Sequence, residues 1–97
     1  MKLVYLLEAR IELLDAVSYY HSCAPGLAAD FSRELERAEN DLLSQPEAWK
    51  LVGGGYRRKL LRRYPYGLVY HQLGEDLLEV VAVTHLTRRP EYWKDRL

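Results

Sequence analysis

Apolar residues recur along this chain with two different periods, and the change from one to the other divides it. Leu27, Phe31, Leu35, Ala38 and Leu42 are spaced by four, four, three and four residues, the repeat of one face of a helix. The other face carries Asp30, Arg33, Glu34, Arg37 and Asp41, which make favourable and unfavourable pairs at helical spacing. Each such pair contributes only about 0.2–0.5 kcal/mol, so the apolar stripe must hold the helix in place. Ahead of it, Ala9, Leu13, Ala16 and Tyr20 repeat at four, three and four, predicting a helix from Glu8 to about Ser22. Leu7, Ile11 and Leu14 are expected to widen its apolar stripe. Pro25-Gly26 breaks the chain between the two helices, and Pro46 ends the second. So short a connection makes them an antiparallel hairpin. Lys2–Leu7, short and apolar, reads as a strand before the hairpin.

From Trp49 the helical period is lost. Gly53-Gly54-Gly55 forms a loop, and the lack of a following Lys-Ser/Thr and helix argues against a phosphate-binding P-loop. Three strands are predicted after it: Tyr56–Tyr64, Leu68–Leu73 and Leu77–His85. Pro65 and Gly67 interrupt the first pair, and Gly74-Glu75-Asp76 turns the second. Turns this short require antiparallel neighbours. Pro90–Arg96 is expected to close the chain as a helical turn. The predicted class is α+β: an N-terminal strand, an antiparallel helical hairpin, then a three- to four-stranded antiparallel sheet with a short C-terminal helical segment.

Length and composition fit one domain over residues 1–97, with 48% hydrophobic and 29% charged residues. Glu8 and Arg10 interrupt the apolar start at once, too early for an export signal or a membrane span, so no membrane partner is expected. Cys23 is the only cysteine, which excludes an internal disulfide and suits a reducing cytoplasm. The net charge of zero conceals a division. Residues 1–55 hold five Lys/Arg against nine Asp/Glu, and residues 56–97 hold nine against five. An acidic helical half thus faces a basic sheet half, whose surface suits a phosphate-bearing or acidic partner.

The first predicted strand is unusually basic. Arg57, Arg58, Lys59, Arg62 and Arg63 surround only Leu60 and Leu61. Alternation puts Arg58, Leu60, Arg62 and Tyr64 on one face and Arg57, Lys59, Leu61 and Arg63 on the other. Guanidinium groups at that spacing either grip phosphates and carboxylates or pair with the acidic helices. His85 ends a valine-rich strand, with Arg88, Arg89, Tyr92, Trp93 and Arg96 close behind. A histidine in that company is either structural or able to move protons while cations stabilise a phosphorane-like transition state, as in RNA cleavage by the 2′-hydroxyl. His21 and His71 have no such neighbours. No cluster has metal-ligand spacing, and no cofactor motif is present.

Over its whole length the chain resembles the RelE/ParE superfamily of toxins from bacterial type II toxin–antitoxin modules. Ala9, Leu13, Ala16, Tyr19 and Tyr20 are similar to the first-helix pattern, and Pro25, Leu27, Ala28 and Phe31 to the turn and second helix. Pro46 matches the helix-ending proline. Arg58, Leu60, Leu61, Arg63, Tyr64, Pro65, Tyr66 and Tyr70 resemble the basic strand and the tyrosine-bearing strand after it. Val83, His85, Arg88, Pro90, Tyr92, Trp93 and Arg96 resemble the C-terminal signature of one branch.

The resemblance implies a cytoplasmic, growth-inhibiting toxin of the plasmid-stabilisation type, bound in a hetero-oligomer by a cognate antitoxin. It leaves the target open. A ParE-like member inhibits DNA gyrase, whereas a RelE-like member cuts messenger RNA on the ribosome. A third reading is an inactive module that still binds antitoxin. For the RNA-cleaving reading the catalytic candidates are His85, Arg63 and Tyr92. For target or phosphate binding they are Arg57, Arg58, Arg62, Arg63 and Arg88. No carboxylate lies in the basic strand to act as base, which tilts the expectation toward the ParE-like type.

Overall fold

The computed structural model describes residues 1–96. Strand β1 (Lys2–Tyr5) leads into helices α1 (Leu7–Cys23) and α2 (Leu27–Ser44), and then come β2 (Lys50–Gly53), β3 (Tyr56–Leu60), β4 (Tyr66–Leu73) and β5 (Leu77–His85). The strands form one five-stranded sheet in the order β1-β5-β4-β3-β2. Strands β2 to β5 are antiparallel neighbours, as short turns require, while β1 lies parallel to β5 at the edge. A single turn of 3₁₀ helix, Lys94–Arg96, ends the described chain. Gly26 starts α2 at φ 79°, a left-handed conformation that glycine adopts without a Cβ penalty.

The helices cover one face of the sheet. Ala9, Ala16 and Tyr20 of α1 and Phe31, Leu35, Ala38 and Leu42 of α2 bury against Leu68, Tyr70, Leu78, Val80 and Val83. Tyr20, Phe31, Tyr64 and Tyr66 pack edge-on or tilted at one end of this layer, with ring centroids 4.9–6.3 Å apart. The other sheet face carries a smaller core of Val69, Val81 and Ala82, and Trp93 closes over it.

Three local expectations change, and a bulge adds a feature that the sequence did not signal. Leu7, Ile11 and Leu14 do not widen the buried stripe of α1; they stand exposed at 68, 49 and 58%. At about 100° per residue they fall on the side of the helix opposite Ala9, Ala16 and Tyr20, so α1 is apolar on two faces. The basic strand ends at Leu60 instead of Tyr64. Leu61 N–H bonds the Tyr66 carbonyl to close the turn, and the next two backbone N–H groups go to a side chain of α2. The predicted alternation therefore stops there, and Tyr64 joins the helix-side core. Lys50–Gly53 adds a short edge strand that its four residues hardly signal. Finally, a bulge in β5 leaves Val81 between the pairs Val69–Ala82 and Tyr70–Val80. Val83 thereby returns to the helix side, and Ala82 stays on the other.

Candidate functional site

A cleft of about 270 Å³ opens on the sheet face away from the helices, between β2, β3 and the end of β5 on one side and the C-terminal strap, residues 86–96, on the other. Val52, Val69 and Trp93 make its apolar floor, and Lys50, Arg58 and Arg88 bring three cations to it from three elements. Glu91 is the one carboxylate in its lining. Arg58 reaches the cleft because β4 carries Gly67 beside it. A Cβ built there would lie 3.2 Å from Arg58 Cγ and 3.1 Å from Leu60 Cδ2, a tight fit. Arg58 Nε is buried and has no hydrogen-bond partner among the described residues. Such a donor is costly to leave dry.

His85 stands at the rim. Its Nδ1 accepts a hydrogen bond from Thr87 N–H at 3.1 Å and lies 2.7 Å from the Thr87 hydroxyl. The neutral ring therefore carries its proton on Nε2. The Tyr66 ring meets it edge to face, with centroids 5.0 Å apart.

The strap is anchored through one carboxylate of α1. Glu12, with its side chain 12% exposed, receives Tyr92 OH at 2.6 Å, Val83 N–H at 3.0 Å and Arg88 Nη1 at 3.3 Å. Arg96 grips both of its oxygens. Burial by itself would raise the Glu12 pKa. The hydrogen bonds from Arg96, Tyr92 and Val83 outweigh it and hold the carboxyl below its ordinary range. Tyr92 is pushed the other way, to about 12, by burial and by its bond to Glu12. The Arg88 guanidinium lies 3.9 Å from the centre of the Tyr92 ring. Packing completes the anchor: Trp93 is 5% exposed and meets Tyr56 edge-on, with centroids 4.9 Å apart.

A second buried carboxylate organises the other arginines. Glu34 of α2 accepts the backbone N–H groups of Arg62 (2.8 Å) and Arg63 (3.0 Å), and Arg63 Nη2 lies 3.3 Å from it. Burial opposes ionisation of Glu34, but these bonds prevail and its pKa is lowered. Arg63 also pairs with Asp30 at 3.0 Å, and Tyr64 donates its hydroxyl to the same carboxylate. Lys59 pairs with Asp41 and lies over the Trp49 ring.

Of the residues singled out from sequence, the structure brings Arg58, Arg88 and His85 together at the cleft. Arg63 is held by α2, and Arg62 lines a small hollow beside that helix. Arg57 donates to the Trp49 carbonyl at 2.8 Å. Tyr92 turns its hydroxyl to Glu12. Sequence reasoning did not single out Lys50, Glu12 or Glu34. Glu12 and Glu34 look like any surface glutamate of an amphipathic helix, and their partners lie up to 84 and 29 residues away. Among the described residues, no group of three or more His, Cys, Asp or Glu could hold a metal ion, and no helix is long and apolar enough to cross a membrane.

The model of the family described as "ParE toxin of type II toxin-antitoxin system, parDE" matches residues 3–90. This chain belongs to the ParE toxin family. A chain from a solved structure titled "Chromosomal ParDE TA system from P. aeruginosa" superposes with a TM-score of 0.75, covering 89% of this chain and 96% of that one. The two are 17% identical, so this likeness shows a shared ParE fold and no more. No curated protein sequence matches the chain significantly.

Proposed function

We propose that this ParE-family protein is a cytoplasmic toxin that arrests growth by inhibiting DNA gyrase, without cleaving RNA, and is held inactive by a cognate antitoxin. The family match over residues 3–90 carries this reading. The placement of the side chains supports the non-nuclease branch. RNA cleavage would need His85, Arg63 and Tyr92 to converge on one phosphate. Arg63 is held by Asp30 and Glu34, and the Tyr92 hydroxyl, with a pKa of about 12, donates to Glu12. Neither lines the cleft beside His85. His85 itself braces the start of the strap through Thr87, a structural use of the ring.

The antitoxin part of the reading draws support from α1. Leu7, Ile11 and Leu14 form an exposed apolar stripe on a helix whose opposite face is already buried. A soluble monomer gains nothing from such a stripe, while an amphipathic partner helix is suited to covering it.

The deciding experiment runs two assays on the same preparation. Gyrase supercoiling should be inhibited by the chain and restored by adding its cognate antitoxin. Primer extension on translated messages should show no new cleavage sites. Codon-phased cuts with unimpaired supercoiling would transfer the chain to the RNA-cleaving reading. Normal growth at good soluble expression would leave only the inactive antitoxin-binding module.

A further inference from the structure

Among the described residues, Arg58 is set apart from the other basic side chains by a buried guanidinium nitrogen that has no hydrogen-bond partner. Arg63 has Asp30 and Glu34, Arg96 has Glu12, and Lys59 has Asp41. Arg58 has no carboxylate partner among the described residues, and its Nε is a buried donor with nothing to donate to. Two further cations, Lys50 and Arg88, share the same lining. Arg88 makes its 3.3 Å contact with Glu12 from a half-exposed side chain, so it can serve both. An anion placed here would satisfy the orphan donor and gain charge-assisted hydrogen bonds in a partly desolvated site.

The surroundings select the kind of anion. Nucleic-acid surfaces present a continuous basic stripe with exposed aromatic rings for bases. Here Lys59, Arg63 and Arg96 are paired with helix carboxylates, which interrupts any such stripe, and Trp93, the ring in the cleft, is 5% exposed and packed into the sheet. The floor is apolar, and the volume of about 270 Å³ fits one or two side chains and not a strand of nucleotides. Immediately beside it runs β2, the outer strand of the sheet, whose free edge is open to another strand. Leu51, exposed at 57%, stands on that strand.

We propose that the cleft is a receptor for a single carboxylate on an extended partner segment, an acidic side chain flanked by apolar ones, which pairs along β2 and places its carboxylate on Arg58 between Lys50 and Arg88. Under the toxin reading, on which the identity of the partner rests, that segment belongs to the antitoxin. It is a second contact, separate from the apolar stripe of α1. The gap it fills lies under the strap, so occupation also fixes the strap against the sheet.

The test follows the Arg58 Nε–H resonance of the ¹⁵N-labelled full chain, with four probes at equal ionic strength. They are acetyl-Leu-Glu-Leu-amide, its Gln counterpart, inorganic phosphate and a hexauridylate. The Glu peptide should shift Arg58 Nε–H and the Trp93 indole N–H saturably. The Gln peptide should bind at least about tenfold more weakly, the loss expected for one ion-paired hydrogen bond. The Arg58→Gln variant, which leaves no partner orphaned, should keep its melting temperature and lose the same factor toward the Glu peptide. Absence of an Arg58 shift with the Glu peptide, equal affinity for the Gln peptide, or tighter binding of phosphate or hexauridylate would each overturn the proposal. Growth arrest is scored separately. A chain that binds the peptide at Arg58 but does not arrest growth refutes the toxin reading alone. One that arrests growth but does not bind refutes the carboxylate site alone.

Discussion

Arg96 and Glu12, 84 residues apart, face each other with both guanidinium nitrogens 2.8 Å from the carboxylate. The pair joins the end of the described chain to the first helix. Because Arg96 also donates to the Val81 carbonyl at 3.0 Å, it ties the strap to the bulge of β5. The strap is therefore held by ionic contacts on one side and by Trp93 on the other.

Removing the carboxylate should loosen this arrangement. Glu12→Ala leaves Arg96, Tyr92 and Val83 N–H without their acceptor, and is expected to lower stability by about 3 kcal/mol. Urea unfolding gives the value directly. A loss under about 0.5 kcal/mol would mean that water replaces the contact freely.

Stability should also depend on pH in a defined direction. The carboxyls of Glu12 and Glu34 are both lowered below the ordinary glutamate value of 4.5. The unfolded chain thus binds more protons in acid, and stability rises with pH there. Their contribution is complete above 4.5 and disappears as pH falls through the lowered native values. Melting temperature measured from pH 7 down to 3 should stay level and then drop. Glu34→Gln should make the drop shallower, and an identical curve in that variant would remove Glu34 from the account.

His85→Ala should cost little. The bond from Thr87 N–H to Nδ1 is solvent-exposed, so water can replace the lost acceptor, and a change of about 0.5–1.5 kcal/mol is expected. Growth arrest should weaken only as far as folding does. An unchanged melt with lost toxicity and lost RNA cleavage would make the ring an acid–base group after all.

Ile11→Glu and Leu14→Glu test the outer stripe of α1. Both side chains are about half exposed, so stability should change by no more than about 0.5 kcal/mol each. Co-expression with the proposed antitoxin should no longer rescue growth, while toxicity alone persists. Full rescue by the double variant would place the antitoxin elsewhere.

Much of the architecture is legible before any folding. The spacing of Leu27, Phe31, Leu35, Ala38 and Leu42 defines α2, and the run Leu77–His85 defines β5 to the residue. Pro25-Gly26 and Gly74 mark turns because local sterics act over two or three residues, within reach of a sequence reading. The division into acidic and basic halves is likewise present in the chain itself.

Other features depend on groups that meet only in three dimensions. The strand after Tyr56 stops at Leu60 because a glutamate 28 residues earlier captures the N–H of Arg62. A single extra residue, Val81, sets which face each side chain beyond it takes, and alternation cannot register it within a run of uniformly apolar residues. The separation of the arginines into paired and unpaired has the same origin. Arg58 and Arg63 look alike in the sequence, but α2 supplies two carboxylates to Arg63, and the sheet face beneath the strap supplies none to Arg58. Charge pattern is a property of the chain; which charges remain without a counter-ion is decided by packing, since an ion pair requires its partners within about 4 Å whatever their distance in sequence.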